Sequence, residues 1–321
     1  MAAVQLNEAR ARTVVDVGTP LTHRQAKRST EGQFARPFLK WVGGKGKLLP
    51  QLINHLPSGQ LRYGEVFLGG GALYFHLQGS RRLQAAVIGD LSTDVHNAHN
   101  CVRDHTDALL AALHVHETAY LAGDEDQRAA YFYKIRALHP DIVALTPVQR
   151  AARMLFLNRT CFNGLWRENA KGAFNCPHGK YAEPKIADDQ RLYAAAQALA
   201  DAVLVRADFR QWPELCRRHA LDTVYLDPPY HPLTATSSFN AYSGGSFSAQ
   251  SQRELAEMCG ELDKLGVRWV LSNSDCAVVR ELYRPWHIAT IRAARSINSK
   301  GSARGEIDEV VVSNRRPGLN W

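Results

Sequence analysis

A tetrapeptide that could hold a planar amine, Asp227-Pro228-Pro229-Tyr230, follows a short apolar run, Thr223–Leu226. The run is typical of a buried strand, and two consecutive prolines cannot continue a sheet ladder. A carboxylate, a rigid turn and a ring are therefore expected at a strand's carboxyl end, where open α/β sheets bind ligands. The carboxylate and the first proline carbonyl could accept hydrogen bonds from an exocyclic base amine, while the ring stacks on the base. Taken alone, the same residues could equally form a turn capped by the aspartate.

A glycine turn earlier in the chain, Phe67-Leu68-Gly69-Gly70-Gly71, could bind the adenosine part of a cofactor. It lies between an expected strand, Tyr63–Phe67, and an expected helix, Ala72–Leu77, and glycines there let a ligand approach the backbone. Asp90 ends the next expected strand, 21 residues after Gly69, at the distance of the acid that binds ribose hydroxyls in dinucleotide enzymes. This spacing does not separate a nicotinamide dinucleotide from S-adenosylmethionine, and a structural turn beside a solvated aspartate is the alternative.

A third segment, Phe38–Lys45, places a tryptophan and a lysine on either side of two glycines. Such a loop could fold over a cofactor, with Trp41 covering it and Lys45 reaching a carboxylate or DNA. An ordinary surface loop is the alternative for these residues.

The elements that would position these residues alternate in the manner of an α/β fold. The glycine turn, its helix and the strand Ala85–Asp90 form a βαβ unit of a parallel sheet. Helical patterns then dominate, and further strands are expected later; the helices are Asp107–Ala122 and Pro147–Leu157, and the strands are Ala202–Val205, Thr223–Leu226, Trp269–Ser272 and Glu309–Val312. We predict a Rossmann-like α/β domain, residues 34–100 and 200–321, interrupted by a mainly helical insert, 101–199, and preceded by a flexible tail, 1–33.

Composition bounds the class of protein. The chain has 321 residues, a net charge of +8 and a pI of about 9.2, which suits a polyanionic partner without identifying one. The six cysteines are scattered and the thirteen histidines lack H-E-x-x-H spacing, so reduced thiols and no metal are expected. We also expect no membrane span, since no apolar stretch approaches roughly 18 residues.

The irregular segment Asn158–Tyr181 combines the residue types that DNA binding requires. Basic side chains suit phosphates and aromatic rings suit unstacked bases; the basic residues in and near it are Arg153, Arg159, Arg167, Lys171 and Lys180, and the aromatic ones are Phe162, Trp166, Phe174 and Tyr181. A surface loop with ordinary charges is the alternative.

The order and the amino-acid sequences of these segments resemble those of the Dam family of DNA adenine-N6 methyltransferases, the D12 class or alpha group. The matching stretches are Phe38–Trp41, Asn158–Leu165, Gly172–Pro177, Asp227–Leu233 and Arg295–Ser299. The resemblance implies a Rossmann-like methyltransferase sheet, S-adenosylmethionine as methyl donor and adenine in double-stranded DNA as acceptor. That adenine would have to flip out of the stack, and the sequence read by the family is GATC.

The resemblance also implies residue roles. The catalytic turn would be Asp227, Pro228, Pro229 and Tyr230, and the cofactor would be bordered by Trp41, Lys45, Phe67, Gly69, Gly71, Asp90, Asp208 and Asp227. The DNA contacts would be Lys40 at the first guanine, Phe162 and Asn163 at the flipped base, Leu165, Arg167, Pro177 and Tyr181. Arg167 is placed to read a guanine edge bidentately.

Other functions remain open at this point. Cytosine-N4 methylation fits the same acceptor geometry, although an aspartate at position 227 favours adenine. Methylation of RNA or of a protein amide, a DNA-binding protein without catalysis, and a dehydrogenase are weaker alternatives. We expect a cytoplasmic bacterial or phage-encoded enzyme, and the sequence does not distinguish a solitary enzyme from one paired with a restriction endonuclease.

Overall fold

The computed structural model describes residues 35–139, 144–169, 171–231, 247–294 and 306–316, with the backbone alone at 293, 294, 306 and 307. The predicted tail, 1–33, the Arg295–Ser299 motif and the last two residues of the Asp227–Leu233 match lie outside these ranges. Within them no helix is both long and apolar enough to span a membrane.

A seven-stranded mixed sheet forms the centre of the fold, in the order β3-β2-β1-β4-β5-β7-β6. Its strands are β1 (Leu61–Glu65), β2 (Leu83–Gly89), β3 (Ala202–Val205), β4 (Thr223–Leu226), β5 (Arg268–Ser274), β6 (His287–Ala294) and β7 (Glu306–Ser313). The first five are parallel, and β7 runs antiparallel to both β5 and β6. The chain reverses its winding between β1 and β4, so their carboxyl ends form the crevice in which such sheets bind ligands.

Helices cover the sheet and fill the insert. They are α1 (Leu49–Leu52), α2 (Ala72–Gly79), α3 (Thr93–Asp104), α4 (Thr106–Leu121), α5 (Glu125–Ala137), α6 (Pro147–Thr160), α7 (Asp189–Leu199), α8 (Trp212–His219), α9 (Ala249–Lys264) and α10 (Ala277–Leu282). Short 3-10 turns occupy Lys45–Lys47, Ile53–His55, Phe162–Gly164 and Phe209–Gln211. Helix α6 begins as its sequence suggests, with Pro147 in its first turn and a capping box between Thr146 and Gln149.

Successive side chains of the strands pack alternately into two hydrophobic cores, one on each face of the sheet. In β4, Val224 and Leu226 belong to the core shared with α8 and α9, whereas Tyr225 belongs to the core shared with α2 and the insert helices. This period of two is what a strand buried on both faces requires. The insert therefore packs against one face of the sheet through a continuous core and holds its surface loops near the ends of β1 and β4.

The predicted α/β fold is confirmed, and two of the expected strands have the predicted bounds, Ala202–Val205 and Thr223–Leu226. Strand β6 was not predicted: its sequence, HIATIRAA, mixes alanine with arginine and histidine. The expected irregular segment begins later than predicted, because α6 continues to Thr160. The predicted division at residue 100 falls inside the continuous helix α3.

Candidate active site

The turn after β4 presents its carboxylate at the crevice. Pro228 is buried, the carbonyl of Pro229 accepts a hydrogen bond from Gln252 Nε2 at 3.0 Å, and Tyr230 Oη donates to Glu309 Oε2 at 2.7 Å. Gln252 lies on α9 and Glu309 on β7. Neighbouring elements therefore hold the last two residues of the turn, and the Asp227 side chain is left 19% exposed toward the cavity.

Lys45 approaches this turn from the loop that precedes β1. Its Nζ lies 3.0 Å from Asp227 Oδ1 and donates to the carbonyl of Gly43 at 2.7 Å. The residue as a whole is 4% exposed. The same Nζ lies 4.7 Å from the centroid of the Tyr230 ring. The contact with Asp227 is an ion pair without hydrogen-bond geometry, and among the described residues Oδ1 has no hydrogen-bond partner.

Burial raises the pKa of Asp227 to about 6, and the nearby Lys45 ammonium opposes that rise. The carboxylate is therefore largely ionised at neutral pH in a site that resists charge. An ionised carboxylate oxygen that is ion-paired with Lys45 but accepts no hydrogen bond among the described residues can still accept one from an N–H donor.

A second carboxyl group, Glu65, ends the adjacent strand β1 and was not among the predicted site residues. It is 3% exposed and accepts a hydrogen bond from Tyr63 Oη at 2.8 Å. Burial raises its pKa to about 8, so the protonated form predominates at neutral pH. The signal that could have identified it is its position, an acid at a strand end two residues before Phe67.

The glycine turn binds the acid of the next strand. Gly69 N donates to Asp90 Oδ2 and Ser92 N to Asp90 Oδ1, each at 2.9 Å. Gly71 has φ 69° and directly precedes α2. Burial raises the pKa of Asp90. Backbone hydrogen bonds thus join the turn and the acid, and the ribose-binding role that the 21-residue spacing suggested stays a prediction.

Trp41 lies directly on this turn. A Cβ placed on Gly69, which has φ +48°, would be 2.6 Å from Cδ1 and Nε1 of Trp41. The predicted reason for the glycine was close approach of a ligand, and the structure shows that a tryptophan ring makes the close approach. The loop therefore does fold over the turn.

One cavity of about 950 Å³ joins these features. It is lined by the predicted residues Trp41, Lys45, Phe67, Gly69, Gly71, Asp90, Asp227, Pro228, Pro229 and Tyr230, and also by Glu65. Asp208 does not line it: its carboxylate caps the turn Phe209–Gln211 and pairs with Arg210. The ring of the next residue, Phe209, approaches the cavity wall instead, 6.2 Å from the Phe67 ring centroid.

The residues predicted to contact DNA lie together beside the cavity. Phe162 is 51% exposed and its amide donates to the Pro177 carbonyl at 2.9 Å. Asn163, with φ 56°, donates its amide to Tyr181 Oη at 3.0 Å. Lys40 Nζ lies 5.2 Å from the centroid of the Tyr181 ring. Five of the predicted contacts therefore form a single surface.

The two remaining predicted contacts lie on and next to a short hairpin. Leu165 is partly buried against the core, whereas Arg167 is exposed and donates from Nε to Asn175 Oδ1 at 2.7 Å. Trp166 and Phe174, whose ring centroids are 4.7 Å apart, face inward. Alternation across the hairpin therefore turns Arg167 outward because Trp166 is packed inward.

No group of three or more His, Cys, Asp or Glu side chains suited to a metal ion occurs in the described ranges.

Comparisons with known proteins agree with this geometry. The model of the D12 class N6 adenine-specific DNA methyltransferases matches residues 41–297. A Type II methyltransferase, M.MjaIII of Methanocaldococcus jannaschii, is 36% identical over 87% of this chain and 99% of that protein. The DNA adenine methylase of Escherichia coli K12 is 33% identical over 86% of this chain and 94% of its own. Among solved structures, a putative methyltransferase complexed with SAH has 11% identity and a TM-score of 0.34 over 84% of this chain and 50% of its own, too low to add to the argument.

Proposed function

The chain belongs to the D12 class of N6 adenine-specific DNA methyltransferases, and from this premise we propose that it methylates the adenine of GATC in double-stranded DNA. We propose further that residues 101–199 form the DNA-recognition domain and that 34–100 and 200–321 form the catalytic domain. The net charge of +8 suits the DNA polyanion.

S-adenosylmethionine is the methyl donor of this family, and the cavity residues suit it. A volume of about 950 Å³ falls in the range of cofactor pockets. Asp90, whose oxygens each accept one backbone N–H, keeps further lone pairs for ribose hydroxyls. When bound, the cofactor supplies an electrophilic methyl group on a sulfonium. Trp41 would cover it and Lys45 would remain paired with Asp227.

The observation that carries the proposed chemistry is Oδ1 of Asp227, which is ion-paired with Lys45 and accepts no hydrogen bond from the residues that the structure describes. The lone pair of an adenine amine is delocalised into the base, and acceptors on its N–H groups localise it again. Asp227 can accept one N–H and the carbonyl of Pro228 the other, with no protein nucleophile needed. Catalysis is then positioning together with electrostatic stabilisation.

Tyr230 would stack on the extruded base. Its hydroxyl is held by Glu309, so the ring plane is fixed before a base arrives. An aromatic wall beside a hydrogen-bonding edge is the usual composition of a pocket for a flipped base.

The recognition surface supports extrusion of the base and readout of its neighbours. The Phe162 ring is exposed although it is large and apolar, and such rings enter base stacks at kinked or flipped steps. In the family pattern, Lys40 reads the first guanine, and Arg167 reads another guanine edge. Lys40 lies on the same surface as Phe162, and Arg167 is exposed on the neighbouring hairpin, which supports one short recognition sequence.

The test uses the purified chain, tritiated S-adenosylmethionine and synthetic duplexes. We expect methyl transfer to a GATC duplex and none to a duplex in which every adenine of the site is replaced. Digestion of the product to nucleosides should yield N6-methyladenine. An increase in 2-aminopurine fluorescence at the target position, when the enzyme and a non-reactive cofactor analogue are added, would report extrusion.

Three outcomes would contradict the proposal. N4-methylcytosine in the digest would show that the enzyme methylates cytosine and not adenine. Equal methyl transfer to duplexes with and without GATC would show that GATC is not the recognition sequence. Methyl transfer without an increase in 2-aminopurine fluorescence would show that the target base is not flipped out.

A further inference from the structure

One buried amide, that of Asn158, connects the DNA-recognition surface with the loop over the glycine turn. Asn158 lies in the last turn of α6 and is 0% exposed. Asparagine is a poor helix former, and a buried amide costs free energy unless it is hydrogen bonded. A fully buried asparagine at this position therefore calls for specific partners.

The partners are backbone atoms far away in the chain. Lys40 N donates to Asn158 Oδ1 at 2.8 Å, and Asn158 Nδ2 donates to the Lys40 carbonyl at 2.8 Å. The same Nδ2 also donates to the Gly164 carbonyl at 3.2 Å. Both amide protons and the amide oxygen are used, so the orientation of the side chain is fixed by its surroundings.

These bonds place the Lys40 side chain. Its stem runs across Gly164, where an added Cβ would lie 2.5 Å from Lys40 Cδ. Its ammonium then reaches the Tyr181 ring, whose hydroxyl accepts the Asn163 amide. Asn158 thus joins the backbones of Lys40 and Gly164, and these two residues adjoin the proposed base contacts.

The neighbouring residue completes the connection. Arg159 donates from a terminal nitrogen to the carbonyl of Phe38 at 2.7 Å, so the end of α6 holds both sides of the segment Phe38–Lys40. Trp41, the next residue along, lies on the glycine turn. One helix end therefore holds Lys40, the proposed guanine contact, directly, and Trp41, the proposed cover of the cofactor, is the next residue in the chain.

We propose that Asn158 is a positioning residue that fixes Lys40 for readout of the first base pair of the recognition sequence. The proposal rests on the function proposed above, because it requires Lys40 to face that base pair. Asn158 touches neither DNA nor cofactor and acts through the Lys40 backbone. Its loss should therefore impair discrimination at one base pair more than it impairs methyl transfer itself.

The experiment measures kcat/KM on hemimethylated duplexes, in which only one adenine can accept a methyl group. One duplex carries GATC, a second has the first base pair replaced, and a third has the fourth replaced. Lys40→Ala, Asn158→Ala and the double variant are compared with the wild type. Asn158→Asp is a second single variant, since it keeps the acceptor for Lys40 N and loses both donors.

Asn97→Ala serves as a matched control. Asn97 lies on α3 and donates from Nδ2 to the carbonyl of Pro147, at the opposite end of α6, at 2.8 Å. The substitution Asn97→Ala therefore removes a side-chain amide hydrogen bond to a backbone carbonyl of α6 and leaves the contacts of Lys40 intact. Thermal unfolding of all variants monitors the fold.

Discrimination at the first base pair should fall by roughly tenfold in Lys40→Ala and in both Asn158 variants, the effect typical of one lost base contact. Discrimination at the fourth pair should change little. The double variant should be no worse than the more impaired single variant, because both changes remove the same readout. Asn97→Ala should keep wild-type discrimination.

A uniform loss on all three duplexes, wild-type discrimination in the Asn158 variants, or additive losses in the double variant would each overturn the proposal. If Lys40→Ala is selective and Asn158→Ala is not, the inference fails while the proposed function stands. If Lys40→Ala is itself not selective, the role of Lys40 fails and the inference fails with it.

Discussion

Lys45 Nζ lies 3.0 Å from Asp227 Oδ1, in a contact that pairs their charges but leaves that oxygen without a hydrogen bond among the described residues. The lysine is held by the Gly43 carbonyl and the aspartate by a rigid proline turn. Neither group needs to move for the oxygen to accept an N–H. The pair therefore keeps a buried carboxylate charged and available at the same time.

The first prediction concerns this oxygen. Asp227→Asn should reduce kcat by at least about 100-fold, the effect of removing one preorganised electrostatic group from an active site. The measurement is single-turnover methyl transfer to a GATC duplex. Asp222→Asn is the matched control, because Asp222 immediately precedes β4 at its other end and accepts from Arg62 N. Near wild-type methyl transfer by Asp227→Asn would show that catalysis does not require the Asp227 carboxylate as a hydrogen-bond acceptor.

The second prediction follows from the pKa of Asp227, which burial raises to about 6. Only the ionised form accepts an N–H on both oxygens, so kcat/KM should fall as the pH drops through about 6. Lys45 lowers this pKa, and Lys45→Gln should therefore move the acid limb of the profile to higher pH. Lys45→Arg keeps the positive charge and should leave the limb near its wild-type position. An acid limb that is identical in all three enzymes would assign it to another group.

The third prediction concerns stability and Glu65. Its folded-state pKa of about 8 lies above its ordinary value of 4.5, so the folded protein binds this proton more tightly than the unfolded chain. The stability it contributes is present below about pH 4.5 and is lost as the pH rises through about 8. Glu65→Gln should remove that loss, since an amide stays neutral and can still accept from Tyr63.

Urea unfolding of both proteins at pH 4.5 and pH 8.5 measures the effect. The free energy of unfolding of Glu65→Gln relative to the wild type should rise between these pH values by several kcal/mol, at about 1.4 kcal/mol per pKa unit. The constant cost of the substitution cancels in this difference. An unchanged difference would show that Glu65 is ionised in the folded protein at neutral pH.

Sequence predicted the residues of the cavity better than it predicted their interactions. The strand end, the glycine turn and Asp90 follow from local patterns, because each is set by neighbours in the chain. The contact of Trp41 with Gly69 depends on how a separate loop crosses the turn, and no local pattern encodes that crossing. Gly69 lines the cavity, but the close approach at its Cα is made by Trp41 and not by a ligand.

Two residues show where local reasoning ends. Asn158 begins the family-like segment Asn158–Leu165, yet its partner Lys40 is 118 residues away in the chain, so their contact is visible only in the fold. Asp208 was assigned to the cofactor from the family pattern, whereas its carboxylate caps a turn and pairs with Arg210. A short polar side chain before a helical turn is an ordinary capping signal, and here that local interaction occupies the carboxylate.

The fourth prediction tests the packing of Trp41 on the glycine turn. In Gly69→Ala the new Cβ would lie 2.6 Å from the indole, at a φ of +48° that alanine rarely adopts. The ring must move, and the KM for S-adenosylmethionine should rise by at least about tenfold. Gly260→Ala is the control, since its Cβ meets nothing within 4 Å in helix α9. An unchanged KM would show that Trp41 does not cover the cofactor.

The fifth prediction concerns Arg167, which the hairpin turns outward and whose Nε is held by Asn175. This bond uses Nε, and the two terminal nitrogens of the exposed guanidinium are the donors that a bidentate contact to a guanine edge requires. Arg167→Ala should therefore reduce discrimination at one guanine by about 5- to 160-fold, corresponding to about 1–3 kcal/mol, with a smaller effect at the other base pairs. The measurement is kcat/KM on hemimethylated duplexes with single base-pair changes.

Arg217→Ala, at the exposed end of α8, is the control and should leave the ratios of kcat/KM between these duplexes unchanged. A uniform loss with a smaller salt dependence would instead make Arg167 a phosphate contact, because a phosphate contact carries charge without sequence information.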